Sequence, residues 1–176
     1  MSQQQADIKK EIKQDWQSDL ARYPSRPWLK EVSIIAIAWY RHGLHVDNMS
    51  EGIWKKISLK IYWFIFHIIE ILTGISLPKT VKVGGGLRIH HFGNIFIHKN
   101  AVIGKNCTLR QGVTLGNRYN DEVAPVLCDN VELGAYAQVL GEVTLGDSCK
   151  IGAMSVVLMD VPDKKTACGN PARILK

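Results

Sequence analysis

One aliphatic residue returns every sixth position through the second half of the chain. Ile97, Ile103, Leu109 and Leu115 make one ladder, and Leu127, Leu133, Val139, Leu145, Ile151 and Val157 continue it after a polar interruption. Compact residues (Ala101, Cys107, Val113, Val131, Ala137, Val143, Cys149) stand two places before the rungs. A helix repeats every 3.6 residues and a half-buried strand every 2, so a sustained hexad predicts short flat strands joined by regular corners. Each rung would stack on its equivalent one coil away, at a strand spacing of about 4.8 Å. Gly104, Gly116, Gly134, Gly146 and Gly152 follow rungs directly, and corners needing positive φ are the expected reason. An alternating β-sandwich is the competing reading.

Two breaks interrupt the period. Val83, Ile89 and Ile95 agree with one another but run two residues out of phase with Ile97 onward, which predicts an insertion around His90 to Asn94. The polar stretch NRYNDEVAP predicts an external loop over residues 117–126.

Upstream the pattern turns helical. Ile8, Ile12, Trp16 and Leu20 form the stripe of an amphipathic helix over residues 6–21. A second helix is expected from Pro27 to Leu44, buried along Ile34, Ile35, Ile37, Ala38 and Arg41. Asn48 with Glu51 three residues on reads as a cap opening a third helix to about Ile75. All five Trp precede residue 64 and twelve of the fifteen Gly follow Thr80, which places a boundary near Leu77 to Thr80. The expected organisation is a helical segment 1–78, a coil 79–160 and a tail 161–176.

A net charge of +6 fits acidic ligands; the basic residues are scattered and no RNA-binding signature accompanies them, so nucleic acid is not expected. The four Cys lack a C-x-x-C spacing and read as buried reduced thiols. The polar N-terminus lacks the apolar core of a signal peptide, which predicts a cytoplasmic protein. Ile61 to Leu77 is strongly apolar but contains His67 and Glu70 and is shorter than the roughly 20 residues of a spanning helix. A packed helix is expected there, with contact to a membrane surface as the alternative.

IHHFGN, AVIGKNCTLRQGVTLGNR and VELGAYAQVLGEVTLGDSCKIGAMSVVLMDVPDKKTACGNPARI together resemble the serine acetyltransferase branch of the hexapeptide acyltransferases and the related capsule and colanic acid acetyltransferases. DLARYPSRPWLKE with AWYRHG is similar to their helical lead-in. The resemblance implies a left-handed parallel β-helix behind a helical domain, a homotrimer, and acetyl-CoA held in a groove between subunits. It makes His91 the catalytic residue, matching the family pattern I-x-[DH]-H. Histidine titrates close enough to neutrality to take a proton from an attacking hydroxyl. No cysteine nucleophile is needed. His90 should face the opposite side of an extended wall from His91, so no metal is expected.

Departures from the serine-specific pattern shape the acceptor reading. His90 replaces the aspartate before the catalytic histidine, Ser76 stands where an orienting acid is expected, and the loop lacks the family's arginine–histidine pair near Val123 and Ala124. Asp19 matches an N-terminal substrate-binding aspartate with a gap. These departures favour a saccharide hydroxyl over L-serine, with Asp19, His90, Asn94 and Arg118 as substrate-binding candidates. Arg118, Asn120, Asp121 and Glu122 offer hydrogen bonds to a sugar. By position, Gly116, Ala135, Gly141 and Ala153 would follow the pantetheine arm, and Lys164, Lys165 or Arg173 the phosphates. An inactive trimeric assembly module is the other class.

Overall fold

The computed structural model describes residues 3–119 and 122–175, so Asn120 and Asp121 lie outside the described residues. Among the described residues four helices precede the strands: α1 (Gln3–Ala21), α2 (Pro27–Lys30), α3 (Ser33–Asp47) and α4 (Ile53–Thr73). Fifteen short strands follow among the described residues and fall into three sheets. Sheet A has the order β1 (Ile75–Ser76), β4 (Ile95–Ile97), β7 (Thr114–Gly116), β10 (Gln138–Leu140), β13 (Val156–Val157); sheet B has β11 (Thr144–Leu145), β8 (Val126–Leu127), β5 (Val102–Ile103), β2 (Lys82–Val83); sheet C has β15 (Ala172–Ile174), β14 (Thr166–Gly169), β12 (Lys150–Ile151), β9 (Glu132–Leu133), β6 (Thr108–Arg110), β3 (Arg88–His90). Successive strands go to different sheets as far as β14, and the pairings are parallel except that of β14 with β15, which are neighbours in sheet C. This is a parallel β-helix of triangular section.

Register confirms the ladder. Leu127 pairs with Leu145, Leu133 with Ile151 and Val139 with Val157, each three hexads apart. The rungs stack into one buried column, with Leu109, Leu115, Val139, Leu145 and Val157 wholly inaccessible to solvent. Coil structure starts at Ile75, where β1 (Ile75–Ser76) pairs with β4 (Ile95–Ile97), and it runs on past Val161 through β14 (Thr166–Gly169).

The phase slip has a local cause. β3 (Arg88–His90) pairs with β6 (Thr108–Arg110), matching His90 to Arg110, whereas Phe96 already pairs with Thr114. The upper coil therefore carries more residues through its corner than the coil below. They are absorbed at His91, Gly93 and Asn94, all with positive φ.

The glycines after the rungs serve a different purpose from the one expected. None of Gly104, Gly116, Gly134, Gly146 and Gly152 has positive φ; that conformation falls on Asn106, Asn130, Tyr136, Ser148, Met154 and Lys164. The glycines provide room. A Cβ at Gly104 would lie 2.6 Å from the Cys128 carbonyl, and one at Gly134 2.5 Å from the Ala153 amide nitrogen.

The helices close the open end of the prism, where the first coil presents carbonyls with no coil above to bond them. Tyr40 donates to Val81 O at 2.8 Å, Arg41 to Val83 O at 2.9 Å and Gly84 O at 2.7 Å, Arg22 to Gly86 O at 2.6 Å, and Ser33 to Ile89 O at 2.9 Å. The second helix is not continuous to Leu44, because the chain turns extended at Glu31 between α2 and α3. Asn48 and Glu51 do not cap α4. Asn48 ends α3 and donates to Gln5 O, Glu51 pairs with Lys55, and Gly52 stands at the cap. Gly43 lets α3 approach α4, since a Cβ there would lie 2.5 Å from the Tyr62 ring. No helix among the described residues is long and apolar enough to cross a membrane.

Candidate active site

The break between α2 and α3 and the bulged corner after β3 face each other across a cleft of about 260 Å³. Lys30, Glu31, Val32 and Ser33 line one side, His90, His91 and Phe92 the other. His91 is exposed, in the left-handed region at φ 64. That conformation corrects the expectation that the two histidines face opposite ways. Alternation holds only while the backbone stays extended, and it ceases at His91, so both histidines border one cleft. Among the described residues no group of three His, Cys, Asp or Glu is placed to hold a metal ion.

Glu31 is the carboxylate of this cleft, and sequence reasoning passed over it. Its Oε1 accepts from Arg88 Nη2 at 2.6 Å, and that hydrogen bond holds its carboxyl below the usual range. The charges of His90 and His91 also pull it down, so the carboxylate sits within the field of both rings. The Arg88 guanidinium lies buried over the Tyr23 ring at 3.9 Å. Burial, followed by the charges of Arg88 and Arg110, holds the His90 imidazole below its ordinary value of 6.5. Ser76 supplies no acid; it lies in β1 opposite Phe96.

Other candidates scatter. Asp19 cannot meet a substrate in this fold: it is fully buried, its carboxylate bonded to Arg41 at 2.8 Å and to the Leu87 amide at 2.8 Å. Burial pushes its carboxyl up against the opposing pull of Arg41. Asn94 shares the corner that carries His91 and is exposed. Arg118 lines a separate depression of about 220 Å³ with Tyr119, Val123 and Gly141.

The proposed cofactor contacts divide among the three edges of the prism. Ala135 and Ala153 lie on the edge that carries His91, stepped coil by coil through bonds from Tyr136 N to Gln111 O and from Met154 N to Ala135 O. Gly116 and Gly141 lie on the next edge, joined by a bond from Gly141 N to Gly116 O and flanking the loop. Lys164 and Lys165 lie on the third, where Lys164 N donates to Asp147 O. Arg173 is in β15 (Ala172–Ile174), opposite Cys168 in the closing hairpin. Within one subunit only the two alanines share an edge with His91. The four cysteines are free, and burial raises the Cys107 thiol to about 11, which suits a packing residue and not a nucleophile.

The family described as "Bacterial transferase hexapeptide (six repeats)" matches residues 124–158. A putative colanic acid biosynthesis acetyltransferase of Escherichia coli is 38% identical over 128 residues, covering 72% of this chain and 77% of the relative. A serine acetyltransferase of Synechococcus elongatus is 39% identical over 111 residues, 62% of this chain but 46% of its own, so this chain spans about half the length of that relative. Among solved structures, the soybean serine acetyltransferase apoenzyme superposes with a TM-score of 0.80 at 26% identity over 94% of this chain and 69% of that one. A serine acetyltransferase in complex with CoA gives 0.77 at 29% identity over 97% and 70%. The superpositions take in both the coil and its helical cap, and the chain belongs to the left-handed β-helical hexapeptide acyltransferases, in the branch of the serine and colanic acid acetyltransferases.

Proposed function

We propose that this protein is an acetyl-CoA-dependent O-acetyltransferase with His91 as general base and L-serine as acceptor. The observation that carries the reading is an exposed His91 at the mouth of a cleft that holds both signs of charge, Lys30 and Glu31. A zwitterionic amino acid needs such a pair: the ammonium turns to Glu31 and the carboxylate to Lys30. The sequence alone favoured a saccharide, because the usual acidic and basic residues are missing from their expected positions. Relatives named for serine acetylation outweigh that preference, among them a soybean structure complexed with serine that matches 94% of this chain.

The chemistry follows from the imidazole. His91 accepts the proton of the hydroxyl as its oxygen attacks the thioester carbonyl, and the thiolate leaves, its conjugate acid having a pKa of about 8.5. Glu31, held by Arg88, lines the cleft with His91, and burial disfavours the charged form of the neighbouring His90. Ala135 and Ala153, small residues on the same edge, leave room for the pantetheine arm. A trimer would bring another edge, with its glycines or lysines, alongside from a neighbouring copy.

The second reading is a saccharide acceptor, favoured by His90 in place of an aspartate and by the colanic acid relative. Release of CoA thiol from acetyl-CoA, measured against L-serine and a panel of saccharides, decides between them. Serine-dependent release that falls by at least about a hundredfold in His91→Ala is expected. Release with sugars alone selects the second reading, and release with neither, together with no acetyl-CoA binding, leaves an assembly module.

A further inference from the structure

Helix α4 packs on α3 with one face and leaves another bare. Tyr62, Phe66 and Thr73 are buried, and Tyr62 stacks on Trp39 at 5.7 Å. Turned away from that contact are Ile53, Trp54, Ile57, Ile61, Phe64, Ile68, Ile71 and Leu72. Stepping 100° per residue, all eight fall within an arc of about 100°. Phe64 is 69% exposed and Ile71 81%, so this is no partly covered core. The stripe extends along the whole helix, about 31 Å at 1.5 Å per residue.

Charge borders the stripe. Lys56, Lys60 and His67 lie along one flank by the same angular reckoning, while the only acidic residue in α4, Glu70, lies beyond them and meets His67 at 3.3 Å. At the N-terminal end, Trp54 shares a depression with Lys9 and His45. Those two residues also line the neighbouring cleft between α1 and α3, with Lys13, His42, Trp16 and Trp28. Burial, then the charges of His42 and Lys9, hold His45 below its ordinary value.

We propose that α4 lies in the plane of an anionic lipid bilayer, its aliphatic and aromatic stripe among the acyl chains and its basic flank against the headgroups. An apolar arc, a Trp at its end and lysines along its border are the composition of an interfacial helix. A second copy of the stripe would set Lys56, Lys60 and His67 of each helix against a single acid, Glu70, already paired with His67, whereas anionic headgroups offer a partner to every cation. The C-terminal end of the helix leads into Gly74, which lies against Gly93 and Asn94. Docking therefore brings the corner that carries His91 close to the lipid surface. The proposal is independent of acceptor identity.

Flotation of the full chain tests it, with vesicles of phosphatidylcholine alone and of phosphatidylcholine containing roughly 30% phosphatidylglycerol. Co-flotation with the anionic vesicles and far less with the neutral ones is expected. Lys56→Gln with Lys60→Gln should lower the partition coefficient on anionic vesicles roughly thirtyfold. Phe64→Asp with Ile71→Asp should abolish flotation and leave the thermal midpoint and sedimentation mass unchanged, since both side chains are exposed. Failure of the parent chain to float, equal flotation with neutral vesicles, or a fall in sedimentation mass in the Phe64/Ile71 variant overturns the proposal; the last would make the stripe a contact between copies.

Discussion

Glu31 and Arg88 are 2.6 Å apart, one at the break between two helices and the other in the last strand before His91. This bond joins the helical cap to the wall at the corner that carries the catalytic candidate. Ser33 supports it two residues on by donating to Ile89 O at 2.9 Å.

Replacing Glu31 with Gln keeps a hydrogen-bond acceptor for Arg88 and removes the negative charge. If Glu31 receives the acceptor's ammonium, KM for L-serine rises about tenfold while kcat changes much less, because the lost interaction is present in ground and transition states alike. Steady-state kinetics with acetyl-CoA saturating checks this. A fall in kcat with KM unchanged would assign Glu31 to orienting His91 instead.

Asp19 belongs to the cap. With Arg41 it forms a buried pair bonded onward to Val83 O, Gly84 O and the Leu87 amide. Removing one partner strands the other, so Asp19→Asn should cost about 3–5 kcal/mol in denaturant unfolding. Activity per folded molecule should stay near that of the parent. A specific rise in acceptor KM would restore Asp19 to the substrate.

The solenoid was legible in the sequence because a rung must be aliphatic wherever the wall turns inward, and nothing but a coil uses period six. The bulge was legible too, as a two-residue slip before Ile97. Two things were hidden. Glu31 is brought to the cleft by an extended residue between two helical segments that the apolar pattern of Ile34, Ile35 and Ile37 reads as one, and no local signal marks its partner Arg88, far along the chain. Asp19 carries the sequence signs of a functional carboxylate, yet its role is set by Arg41 and by an amide that only the tertiary fold supplies. Charged residues near an active site look alike in sequence whether they bind a substrate or fasten two elements together.

His90 makes stability depend on pH in a stated direction. Its folded value is held below 6.5, first by burial and then by Arg88 and Arg110. Near that pH the unfolded chain therefore binds more protons than the folded one, and stability rises with pH. The contribution is fully present above 6.5 and shrinks as pH falls through 6.5 toward the folded value. Denaturant midpoints at several pH values should show a shallower slope for His90→Asn. An unchanged slope would place the proton uptake elsewhere, with His45 the first alternative because burial lowers it as well.

Glycine at the corners separates space from conformation. A Cβ at Gly134 would sit 2.5 Å from the Ala153 nitrogen and 2.8 Å from the Gly152 carbonyl carbon, both backbone atoms of the next coil, which cannot swing aside. Met154, by contrast, is 69% exposed and already holds φ 59 with a full side chain. Gly134→Ala should therefore destabilise by about 1–3 kcal/mol, as forced overpacking does. Met154→Gly should change stability by less, because glycine relieves the left-handed strain while loosening the unfolded chain. Unfolding midpoints of the two variants, measured side by side, test the comparison. If Met154→Gly proved the more damaging, close approach between coils would not be what holds glycine behind the rungs.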